Sequence, residues 1–136
     1  MEPTVFVFPG ELISSKNSRR PLICKSKATG KKKIVPVKSQ IAKANESSIR
    51  DMIRKNPDFV MKWKLELLKK SYPVRLRIQI YRQSHRIFDY NNITQNLFDC
   101  IVKEGLLPDD NMKFLLPVYE PYKVDKNKPR TEIIIE

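Results

Sequence analysis

The sequence predicts an α+β fold: a single domain spanning residues 1–136, with a small mixed β-sheet and helices packed on one of its faces. Three observations carry this. The 136 residues, 40% of them hydrophobic, are enough for one ordinary core. Val74 to Tyr81 alternates with a strand's period of two, while other segments place apolar residues at helical spacing. Strands and helices also interleave along the chain without forming regular βαβ units.

The elements follow in order. Thr4 to Phe8 alternates around Val5 and Val7 and predicts a first strand, stopped by Pro9-Gly10. Glu11 to Gln40 carries nine basic residues (Lys16, Arg19, Arg20, Lys25, Lys27, Lys31, Lys32, Lys33 and Lys38) against the single acid Glu11. Within it, Pro21 to Lys25 and Lys33 to Val37 predict short strands around a Thr29-Gly30 turn, giving a basic hairpin or loop that grips phosphate. Ser39 is placed to cap a helix running to about Lys55, with Ile41, Ala44, Ile49, Met52 and Ile53 as its apolar face. Asn56-Pro57 ends it. A second helix is expected from Asp58 to Lys70, with Asp58 as N-cap and Trp63 packed at its edge. Tyr72-Pro73 breaks that helix.

Val74 to Tyr81 is the clearest strand. Val74, Leu76, Ile78 and Ile80 share one face, and Arg75, Arg77, Gln79 and Tyr81 share the other, either a DNA surface or a solvated sheet face. After the Arg82 to Phe88 loop, a helix is predicted from Tyr90 to Glu104, with Ile93, Leu97, Cys100 and Ile101 on its core stripe and Gly105 just past its end. Lys113 to Tyr119 and Thr131 to Ile135 predict two further strands, joined through a turn at Asp125 to Pro129. The isoleucine-rich last strand must be covered, in the sheet core or at a dimer contact.

Composition narrows the function classes. No apolar run approaches the roughly 18–20 residues of a membrane span, and the acidic, briefly apolar N-terminus does not read as a secretory signal. Two cysteines, Cys24 and Cys100, accompany one histidine, His85, too few for a structural zinc site and no basis for a disulfide framework. Reduced cysteines fit a cytoplasmic protein, and any catalytic metal would be held mainly by oxygen, favouring Mg²⁺ or Mn²⁺ over zinc. His85, alone in a polar Gln-Ser-His-Arg loop, reads as a surface residue. The net charge of +12 attracts polyanions without regard to sequence, as phosphate-backbone binding requires.

One region carries candidate chemistry. Asp89 stands at a helix start; Asn92, Gln95 or Asn96, and Asp99 recur at three- and four-residue spacing on the polar face; Asp109-Asp110 follows Gly105. In ordinary structural terms, Asp89 caps the helix and Asp109-Asp110-Asn111 makes a turn. The same residues form a metal site if that turn returns the acidic pair beside the helix start, a demanding condition for a helix about 22 Å long. Acids in so basic a chain repel the partner that the rest attracts, unless they hold a divalent cation beside a phosphate.

The run Asp89-Tyr90-Asn91-Asn92, then Phe98-Asp99, Lys103, Gly105 and Asp109-Asp110, resembles the central segment of RusA-type crossover-junction endodeoxyribonucleases. That family carries Asp-x-Asp-Asn at a helix start, a Lys further along, and an Asp-Asp pair after a Gly, at the same spacing. Ser15-Lys16-Asn17-Ser18-Arg19 is similar to the family's Asn-containing segment after the first strand. The resemblance implies a RusA-like fold and a Mg²⁺-dependent homodimer, Mn²⁺ being an alternative metal, that makes paired cuts in four-way junctions of branched double-stranded DNA during recombination or repair. It assigns Asp89, Asn91 and Asp110 to catalysis and metal binding, with Asn92, Gln95, Asp99 and Asp109 in support. Phosphate contacts fall to Lys16, Asn17, Arg19, Arg20, Lys31, Lys32, Lys33 and Arg86. Two positions depart from the family: its second catalytic Asp is Asn91 here, and its catalytic Lys is Gln95. Asn91 removes one negative charge from the ligand set, and Gln95 a cation that would stabilise charge on phosphorus. A non-enzymatic DNA-binding module of the same fold and an unrelated basic RNA- or ribosome-associated protein are the competing readings.

Overall fold

The structure, a computed structural model, describes residues 2–14, 20–25, 32–37 and 40–136, with residues 20–25 and 32–37 as backbone only. Its elements are β1 (Phe6–Pro9), β2 (Arg20–Lys25), β3 (Lys32–Val37), α1 (Gln40–Arg54), α2 (Pro57–Leu68), β4 (Val74–Arg82), α3 (Tyr90–Lys103), β5 (Leu115–Tyr119), β6 (Lys123–Val124) and β7 (Arg130–Ile135). The chain is a single-domain α+β fold built on an open mixed sheet. Strands β1, β7, β4 and β5 lie side by side in that order, and β6 also pairs with β4. The β1–β7 and β7–β4 pairs are antiparallel, while β5 and β6 run parallel to β4. Thus β4–α3–β5 is a parallel pair joined through a helix, an arrangement the sequence pattern did not predict. The basic segment contributes a separate antiparallel hairpin, β2–β3, whose register sets Lys25 opposite Lys32 and Cys24 opposite Lys33.

Register aligns the apolar stripes. Ile78 faces Ile133, Leu76 faces Ile135, and Ile133 in turn faces Phe6 of β1. These side chains are buried in one cluster with Ile49 and Ile53 of α1, Trp63 of α2, and Ile93, Leu97 and Ile101 of α3. The three helices therefore share one face of the sheet, as alternation along β4 and helical stripes require. The last strand's isoleucines are covered within the sheet core, since β7 lies between β1 and β4.

Four local expectations are corrected, the first being the apolar face of α1, where Ile41 and Ala44 are exposed and Ala42 is buried with Ile49 and Ile53. In β1 the buried residues are Phe6 and Phe8, while Val5 and Val7 are exposed. Asp58 is not the N-cap of α2: the helix starts one residue earlier, with Pro57 in its first turn and Asn56 at the cap position. Proline suits that place because its missing N–H is not needed there; the Asn56 side chain instead donates to the carbonyl of Met52, closing α1 at 2.6 Å. Trp63 is not at an edge but fully buried, its indole N–H donating to the Leu106 carbonyl at 2.8 Å. Phe6 and Phe8 of β1 and Phe59 of α2 surround it, with ring centroids 5.0 to 6.3 Å away.

The outer sheet face is close to charge balance. Arg77 pairs with Glu120 and Glu136, and Arg130 with Asp125 and Glu132 while stacking 3.7 Å over Tyr81. Such a face suits solvent better than a polyanion, because two of its arginines, Arg77 and Arg130, already have partners. Among the described residues, no helix is long and apolar enough to cross a membrane.

Candidate metal and phosphate site around helix α3

The N-terminus of α3 is fixed by Asp89. Its backbone is extended and its Oδ1 accepts the Asn91 N–H at 3.0 Å, satisfying one of the unpaired donors of the first helical turn. Its charge also suits the positive end of the helix dipole. Asp89 is therefore a cap, as local rules predict, yet it is exposed and accepts no other hydrogen bond among the described residues.

The loop leading into α3 is held from behind by Arg82, the last residue of β4. This buried side chain donates through Nη1 to the Leu12 carbonyl at 2.7 Å, and its Nη2 lies 3.1 Å from the Glu11 carboxylate. Its guanidinium lies 4.8 Å over the Phe88 ring, and Phe88 packs edge-on against Tyr90 and Tyr122. Arg82 thus ties residues 11–12, which lead into the basic segment, to the residue preceding Asp89. A groove of about 560 Å³ opens between these parts, lined among others by Ser14, Ser84, Arg86, Asp89 and Asn92. Arg86, Asp89 and Asn92 are accordingly brought together. This position, at the carboxyl end of a strand in a parallel pair and the start of its crossover helix, is where open sheets containing parallel strands commonly bind ligands.

Lys16, Asn17, Arg19 and Lys31 lie outside the described residues. Arg20, Lys32 and Lys33 are placed by backbone on the β2–β3 hairpin. Along α3, Asn91 and Gln95 are exposed, and Asn92 and Asp99 are half-buried. Asn96, the alternative to Gln95, is buried and serves packing: its Nδ2 donates to the Ala42 carbonyl and to Asn45 Oδ1 of α1.

Beyond α3, Asp109 and Asn111 make the predicted turn. Asp109 Oδ1 accepts the Asp110 N–H at 2.7 Å, its Oδ2 accepts Asn111 Nδ2 at 3.0 Å, and Asn111 Oδ1 accepts the Lys113 N–H at 2.9 Å. The Asp110 carboxyl is pushed above its ordinary value, first by partial desolvation, then by its hydrogen bond with Asp109 and the charge of Asp99. Asp89, by contrast, acts on Tyr119, whose hydroxyl is pushed up chiefly by burial and also by the Asp89 charge. Tyr119 shares a 2.7 Å hydrogen bond with Thr94 Oγ1, which itself donates to the Tyr90 carbonyl.

The predicted acids thus fall in two places on α3. Asp89 caps its start; Asp99, ten residues on and about 15 Å along the axis, stands with Asp109 and Asp110. Among the described residues, no group of three or more His, Cys, Asp or Glu is placed to hold a metal ion. The donor chemistry nonetheless fits Mg²⁺, which is commonly held by one or two carboxylates together with water and phosphate oxygens. His85 is exposed, its Nδ1 3.0 Å from the Tyr122 hydroxyl, and Cys100 is buried, its thiol donating to the Glu46 carbonyl at 3.7 Å.

Sequence reasoning missed Arg82, Glu11, Tyr119 and Thr94. Only an arginine in register with the buried side of β4 could have flagged Arg82, since Val74, Leu76, Ile78, Ile80 and Arg82 are all buried. No known protein-family model matches the chain, and comparison with curated proteins finds no match.

Proposed function

We propose that the chain is a Mg²⁺-dependent endodeoxyribonuclease of RusA type, acting as a homodimer on four-way junctions of branched DNA. One observation carries this reading. Among the described residues, Asp89, Asp99, Asp109 and Asp110 enter no salt bridge, although the chain has a net charge of +12. Eight of the other eleven acids (Glu11, Glu46, Glu66, Glu104, Glu120, Asp125, Glu132 and Glu136) are each paired with Lys or Arg. Carboxylates left without a protein cation, with one of them crowded enough to bind its proton more tightly, are suited to an external cation.

Asp89, with the Asn91 amide oxygen as a neutral second donor, would hold one ion at the start of α3, and Asp110 a second beside Asp99 and Asp109. When bound, Mg²⁺ or Mn²⁺ would supply positive charge to a phosphodiester and would lower the pKa of a coordinated water. Asn92, half-buried in the groove, orients a carboxylate or water. Asp99 and Asp109 support Asp110, and the exposed Gln95 amide lies on the same helix surface. Arg86 clamps the phosphate at the groove, while Lys16, Asn17, Arg19, Arg20, Lys31, Lys32 and Lys33 grip the flanking backbone and make binding salt-sensitive.

Incubating a synthetic four-way junction with the protein and Mg²⁺ or Mn²⁺ is expected to give paired, chelator-sensitive cuts, with linear duplex largely spared. A junction complex left uncut in both metals would remove the nuclease reading. It would favour a second one, a DNA-binding module of the same fold, for which the exposed amides Asn91 and Gln95 are the specific observation: they replace an acid and a cation with neutral groups.

A further inference from the structure

Helix α2 is apolar on two sides, and only one is used by the core. Trp63 is fully buried, and Phe59, Val60 and Leu67 pack partly against the same cluster. Another stripe, Met61, Leu65 and Leu68 at four- and three-residue spacing, is 56%, 51% and 82% exposed, with Tyr72 just beyond at 48%. A helix that is hydrophobic nearly all round is normally covered all round, and contiguous exposed apolar surface marks an interaction site. The stripe also lies between two grooves. One, of about 510 Å³, includes Ile53, Pro57, Met61 and Leu65; the other, of about 670 Å³, includes Leu67, Tyr72, Val102, Leu106 and Pro108. Lys64 and Leu68 line both.

Charge identifies the occupant. Among the described residues, Lys62 and Lys64 of α2 and Lys55 and Lys70 at its two ends enter no salt bridge. On α2 itself Asp58, in the first turn, enters no salt bridge among the described residues, while Glu66 is paired with Lys69, and Glu104 at the rim of the first groove is paired with Arg50 and Arg54. The free charge around the apolar stripe is therefore mainly positive. A nucleic acid would answer the lysines but leave Met61, Leu65 and Leu68 exposed. A second copy would cover the apolar side chains while bringing the same excess of lysines with it. We propose that this face docks an acidic amphipathic segment of another protein, a helix with Leu, Ile or Phe along one stripe and Asp or Glu beside it.

The test uses the full chain and dye-labelled synthetic peptides about four turns long. The probe carries leucines at helical spacing with glutamates between them; one control is a scrambled peptide of the same composition, and a second has every glutamate replaced by lysine. Fluorescence anisotropy is expected to show saturable binding of the acidic amphipathic peptide alone. Leu68→Asp and Lys64→Glu, both at solvent-facing positions, should each weaken it by roughly tenfold or more. No saturable binding, or equal binding of the scrambled or lysine peptide, would overturn the proposal. So would a concentration-dependent dimer in sedimentation that Leu68→Asp disperses, because the face would then belong to a second copy.

Discussion

The acids on and around α3 are treated in opposite ways. Near its C-terminus, Glu104 accepts from Arg50 Nε at 2.7 Å and lies 3.0 Å from Arg54, while Lys103 reaches Glu46 at 2.5 Å. This set clamps α1 to α3, and the two arginines hold the Glu104 carboxyl below its usual range, the Arg50 hydrogen bond foremost. Asp89, Asp99, Asp109 and Asp110 have no such partners among the described residues, and Asp110 shifts the other way. Carboxylates that build the fold are thus neutralised by the protein itself. Those in the segment resembling a nuclease site are not, which is the basis for assigning them to a cation from outside.

The largest expected effect separates the two sets by activity. Asp89→Asn and Asp110→Asn should each lower junction cleavage by roughly two orders of magnitude or more, the scale of losing a principal electrostatic contributor. Glu104→Gln should leave the rate nearly unchanged, all three being measured in single-turnover assays with DNA binding as control. Equal losses for all three would erase the distinction.

Stability should respond in the reverse order. Glu104→Gln is expected to cost about 1 kcal/mol in urea unfolding, a figure kept low because Arg50 and Arg54 are 30% and 55% exposed. Because the folded-state value of Glu104 is depressed, its contribution is present above the unfolded carboxylate range and lost as pH falls through the folded value.

Asp110 has the opposite sign and the smallest effect. With a raised folded-state value, wild type loses stability as pH rises from the ordinary carboxylate range through that value, and Asp110→Asn does not. In metal-free buffer at neutral pH the variant should therefore match or exceed wild type by less than about 1 kcal/mol. Unfolding curves at acidic and neutral pH check both signs.

Much of the fold was legible because it rests on local periodicity. The buried face of β4, the core stripe of α3 and the Gly105 stop (φ 76°) follow directly from residue spacing. The Asp89 cap and the Asp109–Asn111 turn were legible for the same reason. Trp63 was not, because its burial depends on Phe6 and Phe8, more than fifty residues away, and on a carbonyl at Leu106. The start of α2 was misplaced because Pro57 takes the first helical turn and Asn56 bonds backwards to α1. The contact of Arg82 with Leu12 spans seventy residues, and the approach of Asp99 to Asp110 depends on how the chain leaves α3. Such relations arise only when separate elements pack.

Whether these acids hold a cation is tested most directly by a Mn²⁺ titration followed by NMR, reading paramagnetic broadening residue by residue. Broadening is expected to centre on Asp89, Asn91 and Asn92 and on Asp99, Asp109 and Asp110, and to be lost in the Asp89→Asn/Asp110→Asn double variant. Broadening centred on Glu46 and Glu104, or none that is site-specific, would contradict the assignment.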